Sequence, residues 1–338
     1  MAGTLTTRRA SRVPLAVATL FAASLLINAT ALAQAQVTPA AASVARPAAN
    51  TQPPPPPPDT AALSFSLKAD ADTAMKTGEA AFEKGDYDEA IKNYQHAAEL
   101  EPSNYFAILF VGDAYLAKKD FVSAGNWYTK AQQLDPNVET AFREHADMLT
   151  KQGDFAGARK LCLQAIVASP YDSKTWHELS EWAKPAHVTL QDVQIDVGTL
   201  PQRDKQGNIN ITIDPSQPRT VRAVWGLYLT TRGLWQEGRF ARQFPHESKY
   251  RHSLAEEVDA LTKAAALADR LKSDYGIKLD PDVQLLLKLY RANMLQPYTL
   301  LNAADDGIEK DYAAYRAQNR DKLIEYLGEF IVPESKRK

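Results

Sequence analysis

Four acidic residues, Glu79, Asp113, Asp147 and Glu181, stand at one phase of a 34-residue spacing. Residues that recur at the period of a stacked repeat line up in rows, so one acidic column becomes a negative stripe. Such a stripe suits a basic segment, or the N–H donors of an extended backbone. A solvated acidic helix face has the same signature. Beside it runs a second column of Met75, Leu109, Arg143 and His177. A second candidate surface is the stretch Trp235–Glu257, where Arg239, Arg242, Phe244, Lys249 and Arg251 mix basic and aromatic side chains in a connection without periodicity. Loops of that composition bind ligands, or serve as ordered connectors carrying surface charge.

Catalytic chemistry finds little support. The six histidines are dispersed, and His252 with Glu256 and Glu257 is the one constellation with ligand-like spacing. Two ligands fall short of the three or four a metal needs, and acids in a first helical turn already favour the helix dipole. Gly226, Gly233 and Gly238 lack the strand and the Gly-Lys-Ser/Thr of a phosphate loop, and no serine sits in a Gly-x-Ser-x-Gly elbow. A single cysteine, Cys162, excludes an intrachain disulfide and a cysteine-based metal site. No catalytic residue, metal or cofactor is expected.

The elements that carry these columns follow from the same period. Pro102, Pro136 and Pro170 share it, as do Ala90, Ala124, Ala158 and Ala97, Ala131, Ala165. Gly78, Gly112 and Ala146 keep a small residue in phase, and Tyr94, Tyr128 and Cys162 an apolar one. Apolar residues at helical spacing flank turns ending in Asp86, Asp120 and Asp154, which predicts two antiparallel helices per unit with an aspartate capping the second. Small residues let the paired helices approach closely, and the prolines end each unit.

These columns resemble the tetratricopeptide repeat family, over three units from about residue 71 to 172. The third unit departs at Ala146, Leu149 and Cys162, and Trp176, Leu179 and Trp182 begin a capping helix that ends before Pro185. The resemblance implies a right-handed superhelix whose concave face binds an extended peptide or partner helix. It places both columns, Met75, Glu79, Leu109, Asp113, Arg143, Asp147, His177 and Glu181, along that groove. The Lys- and Asn-rich clamp that some members use for a C-terminal carboxylate is absent.

Beyond residue 184 the pattern changes. Val188/Leu190, Val193/Ile195/Val197 and Ile209/Ile211/Ile213 alternate with polar residues, predicting a β-hairpin with a long loop over 185–217. Residues 218–332 return to helical spacing. Ser253-Leu254-Ala255-Glu256 reads as a capping box, Asp280-Pro281 as a helix start, and Tyr312, Tyr315, Tyr326 and Phe330 as a docking face.

At the other end, residues 1–35 join Arg8, Arg9 and Arg12 to an apolar stretch and small-x-small sites, the succession of a secretory signal peptide. Residues 36–66, with six consecutive prolines, read as a stiff, otherwise unstructured spacer, and 333–338 as a basic tail. Loss of three arginines and no acid would take the formal charge from −2 to −5, which argues against binding nucleic acid or anionic lipid by bulk charge, and removal of the signal leaves no stable membrane insertion expected. The expectation is a mainly α, exported, periplasmic or secreted scaffold. It has a tetratricopeptide α-solenoid at 67–184, a hairpin and a C-terminal helical domain, and its partner is a protein or peptide, a basic one being among those the acidic column suits. An envelope enzyme with its site in the C-terminal half, the repeats recruiting substrate, is the alternative.

Overall fold

The computed structural model describes residues 4–6 and 60–333, with side chains from residue 68. The rest of the expected signal peptide, most of the spacer and residues 334–338 lie outside the described residues. Three helix pairs come first: α1 (Thr60–Glu83) with α2 (Tyr87–Leu100), α3 (Tyr105–Ala117) with α4 (Phe121–Leu134), and α5 (Thr140–Gln152) with α6 (Phe155–Ala168). Helix α7 (Ser173–Ala183) caps the stack, its Trp182 indole donating to the Phe155 carbonyl at 2.9 Å. Helix α1 begins inside the stretch read as spacer, because Ala61, Ala62 and Leu63 are good helix formers once the prolines end.

The repeat columns have the physical roles their residue types require. Asp86, Asp120 and Asp154 each accept a hydrogen bond from the backbone three residues on, satisfying a free N–H at the start of α2, α4 and α6. Ala90, Ala124 and Ala158 are fully buried at the helix crossings. A Cβ on Gly78 would come within 2.6 Å of the Tyr94 ring, and one on Gly112 within 2.8 Å of Tyr128, so each glycine makes room for its own repeat's tyrosine.

The C-terminal half comprises β2 (Gln202–Arg203), β3 (Ile209–Thr212), α8 (Arg219–Leu234), α9 (Phe240–Gln243), α10 (Leu254–Tyr275), α11 (Pro281–Arg291), α12 (Leu295–Asn302) and α13 (Glu309–Tyr326). The hairpin is shorter than its alternation predicts. Its strands close around Asp204, which accepts from the backbone of Gln206 and Asn208, and Gly207 takes the left-handed φ of 85°. The β3 strand also pairs with β1 (Thr4–Thr6), giving the order β1-β3-β2. Residues 188–197 form no ladder. They run as an extended strap over the helical core, with Val193 buried and the Gln191 N–H donating to the Ile331 carbonyl at 2.9 Å. Alternation marks one buried face, and a strap laid on helices satisfies that as well as a strand does.

One hydrophobic core runs from the third repeat into the C-terminal helices, joining Ala158, Cys162, Ile166 and Trp182 to Tyr228, Leu261, Leu286, Tyr312 and Tyr326. Polar contacts pin the same seam. The Tyr312 hydroxyl donates to the Val167 carbonyl at 2.7 Å, Arg316 donates to Ala168, and Arg159 donates to the Val332 carbonyl at 2.7 Å. These donors take up free carbonyls at the end of α6 and after α13, where backbone would otherwise be left unpaired.

Candidate functional site

The first helices of repeats one and two, with Tyr94 between them, enclose a cleft of about 280 Å³ lined by Glu79, Phe82, Glu83, Tyr94, Phe110 and Asp113. Helical geometry puts Glu79, Phe82 and Glu83 on one stripe of α1, at steps of three and four residues. Phe110 and Asp113 are likewise three apart on α3. Tyr94 is almost fully buried and meets Phe110 edge-on, with centroids 5.5 Å apart at 61°. Phe106 extends the aromatic surface, its ring 6.0 Å from Phe110 and half exposed to solvent.

The electrostatics of this cleft are one-sided. Burial pushes the Tyr94 hydroxyl up to about 12, and the charges of Glu79, Asp113 and Glu83 add to it. Burial also pushes the Asp113 carboxyl up to about 6, although the Tyr128 hydroxyl donates to it at 2.8 Å. Among the described residues, Glu79, Glu83 and Asp113 form no ion pair within 4.0 Å.

The column of four acids divides at this point. Asp147 is paired with Lys151 and Glu181 with Lys184, both at 2.5 Å, so the far half of the stripe is neutralised within its own helices. In the neighbouring column Met75 is half-buried and His177 exposed, while Arg143 binds Glu139 at 3.2 Å and Glu144 at 3.0 Å. Leu109 is a correction: it is 2% exposed and belongs to the core around Tyr128, so it presents no surface to a groove. Two acids absent from the expected set matter here. Glu144 and Glu178 share the 34-residue spacing one position on. Burial, then Asp147, pushes Glu178 up to about 7, with Arg143 opposing. Their common phase was a readable signal.

The second candidate loop is mostly occupied by its own fold. Arg251 binds Glu247 and Asp311 and donates to the Gly307 carbonyl, and Arg239 binds Asp259 at 3.0 Å. Phe244 packs on Phe240 with centroids 4.9 Å apart, which leaves Arg242 and Lys249 as its exposed cations.

Beneath that loop lies a buried polar network. Arg232 donates to Glu256 at 2.7 Å and to Glu257 at 2.8 Å. Tyr228 donates to Glu257 at 2.9 Å, and Tyr250 to Glu256 at 2.9 Å. His252 bridges Glu257 at 3.0 Å and Asp305 at 2.8 Å; burial opposes its charge, yet these acids hold its pKa above the ordinary value. The capping box is half-formed: Ser253 accepts from the Glu256 N–H, but the Glu256 carboxylate is committed to Arg232 and Tyr250. Arg232 and Tyr228 come from α8, more than twenty residues away, and sequence spacing held no sign of them. Among the described residues no group of three or more His, Cys, Asp or Glu is placed to hold a metal. Cys162 is fully buried, which pushes its thiol up to about 12. No helix of the described residues is long and apolar enough to cross a membrane.

A family model described as tetratricopeptide repeat matches residues 75–139, and this segment is a tetratricopeptide repeat segment. Among solved structures the chain is similar to the Arabidopsis OM64 TPR domain, at 19% identity over 35% of this chain and 98% of that one, with a TM-score of 0.33. It is similar to the TPR2B domain of yeast Sti1, solved as a pHsp70 complex, at 21% identity over 35% and 97%, with a TM-score of 0.33. It is also similar to MamA protein, at 16% identity over 62% and 98%, with a TM-score of 0.31. No curated protein matches the chain.

Proposed function

We propose that this protein is an exported interaction or scaffold protein that holds a basic segment of a partner protein or peptide along the groove of its first repeats. The observation that carries this is the set of unpaired carboxylates at Glu79, Glu83 and Asp113, facing a cleft walled by aromatic rings. Acids left without internal partners, where neighbouring acids have them, favour a cationic ligand and speed its encounter. The C-terminal half serves as a fixed terminus for the solenoid. Its charged network is spent on internal bonds, which supports a structural role in preference to catalysis. Export follows from the basic, apolar, small-residue succession of residues 1–35 and the proline-rich spacer behind it. Calorimetric titration with a lysine-rich and a glutamate-rich peptide of equal length tests the binding. The lysine-rich peptide should bind, and weaken as salt rises from about 50 to 500 mM, because screening shortens the reach of the field. Equal binding of both peptides would count against it. N-terminal sequencing of the protein from its native host tests export, a start near residue 36 being expected and a start at Met1 or Ala2 opposing it.

A further inference from the structure

The charge on the groove is uneven, and the unevenness locates an anchor. Every acid of the column beyond Asp113 has its own lysine: Asp147 has Lys151 and Glu181 has Lys184. At the first-repeat end three carboxylates converge on one cleft and, among the described residues, none of them has an ion-pair partner. Asp113 is the most telling of the three. Its carboxyl is pushed up by burial, and the one hydrogen bond it receives, from Tyr128, is neutral. Arg143 acts on it only from a distance and is tied to Glu139 and Glu144, so a cation placed beside Asp113 would add a direct charge contact.

The walls fit the same occupant. Phe82, Tyr94 and Phe110 line the same cleft as the acids, and aromatic faces attract an ammonium or guanidinium lying within about 6 Å of the ring centroid. The long alkyl stem of such a side chain would lie on the rings while its head reaches the carboxylates. At about 280 Å³ the cleft falls just below the range of roughly 300–1,000 Å³ usual for drug-sized ligands, so a single side chain suits it better than a cofactor.

We propose that the cleft between α1 and α3 is a socket for one basic side chain of the partner, with Glu79, Glu83 and Asp113 taking the charge and Phe82, Tyr94 and Phe110 holding the stem. This rests on the groove reading above and adds to it the position and chemistry of the anchoring residue.

The test is an NMR titration of the chain, with aromatic and carboxylate side chains labelled. The probes are Nα-acetyl-lysine methylamide, its norleucine counterpart, and a decapeptide of alternating lysine and alanine. The ring signals of Phe82, Tyr94 and Phe110 should move saturably with the lysine amide or the decapeptide and stay still with norleucine. Glu79→Gln combined with Glu83→Gln should weaken the response about tenfold, as expected when two charge-assisted contacts are lost. Phe110→Leu should weaken it with all carboxylates kept, and Asp147→Asn should leave it unchanged. Retained chemical-shift dispersion in each variant establishes folding. Rings that ignore both cationic probes, or respond equally to norleucine, overturn the socket. If the decapeptide moves the carboxylate signals of Glu79, Glu83 and Asp113 but not the rings, the socket is wrong and the groove reading stands. If it moves neither set, both fall.

Discussion

In the first two repeats a glycine faces a tyrosine, Gly78 on Tyr94 and Gly112 on Tyr128, whereas the third places Ala146 and Cys162 in the same columns. The large ring lets the outer units build small cores of their own, with water on the remaining sides. The third unit gives up the ring, and its second helix merges with the core of the C-terminal half. Along the groove column the charge splits on the same line: Glu79 and Asp113 form no ion pair among the described residues, whereas Asp147 and Glu181 are paired with lysines, and a buried ionic network lies in the C-terminal half. Among the described residues, a repeat without a neighbouring domain and one that merges with such a domain keep the same backbone and different side chains.

The strongest way to break this comparison is to attack the joined end. Arg232→Met leaves Glu256 and Glu257 buried without their cation, and such a loss typically costs about 3–5 kcal/mol. Urea unfolding followed by tryptophan fluorescence should show the midpoint fall by that much. A shift of a few tenths of a kilocalorie would mean that the network is not holding the C-terminal half together.

At the free end the expected effect is smaller. Gly112→Val drives branched carbon toward the Tyr128 ring, which is fully buried and tied through its hydroxyl to Asp113. Overpacking of this kind costs about 1–3 kcal/mol. The reverse change in the third repeat, Ala146→Gly, should cost only about 1 kcal/mol, the helix-propensity difference, because no ring waits to fill the space. Equal costs from circular-dichroism melts would erase the distinction between the units.

How much of this was legible divides by range. The helix pairs, aspartate caps and alanine crossings repeat at one spacing, and each is a local requirement, so sequence alone carried them. So did the aromatic face of α13, which docks through Tyr312 on the end of α6. The Arg232–Glu256–Glu257 network joins α8 to α10, and a buried ion pair between distant segments leaves no periodic trace. Leu109 was assigned to the groove by phase alone, but phase gives a direction on the helix and not the depth of packing above it. The alternation at 188–197 was read as a strand because period two reports a half-buried extended chain, whether it pairs with a strand or lies on helices.

The acids of the groove make a pH-dependent test. A carboxyl whose pKa is raised in the fold keeps its proton more readily there than in the unfolded chain. Its stabilising contribution is therefore complete below the unfolded value of about 4.3 and lost as pH rises through the folded value. For Glu178 that folded value is about 7. Glu178→Gln should thus be nearly neutral at pH 4 and raise the melting temperature at pH 8. Asp113→Asn tests the other end with a window ending near its value of about 6, though it also changes the acceptor for Tyr128. A Glu178→Gln effect that does not vary with pH would show that burial, with Asp147 beside it, does not hold the Glu178 carboxyl above its ordinary value.

The smallest expected effect isolates the turn that all three repeats share. Gly85 and Gly153 end the first helix of their units with φ of 78° and 82°, and the second unit places Lys119 in the same position at φ 64°. A Cβ at Gly85 or Gly153 would meet nothing within 4 Å, so the cost of a side chain there is conformational and not steric crowding by neighbours. Left-handed backbone costs a non-glycine residue about 1–2 kcal/mol, and glycine gives back part of that through its larger unfolded-state entropy. Lys119→Gly should therefore stabilise the chain by roughly 0.5–1 kcal/mol, and Gly85→Ala and Gly153→Ala should destabilise it by a similar amount. Lys119 is exposed and makes no ion pair among the described residues, so its removal takes nothing else away. If denaturation midpoints for Lys119→Gly and wild type coincide, the turn of the second repeat tolerates its lysine through a contact that its sisters lack, and the three units differ at the turn as well as in the core.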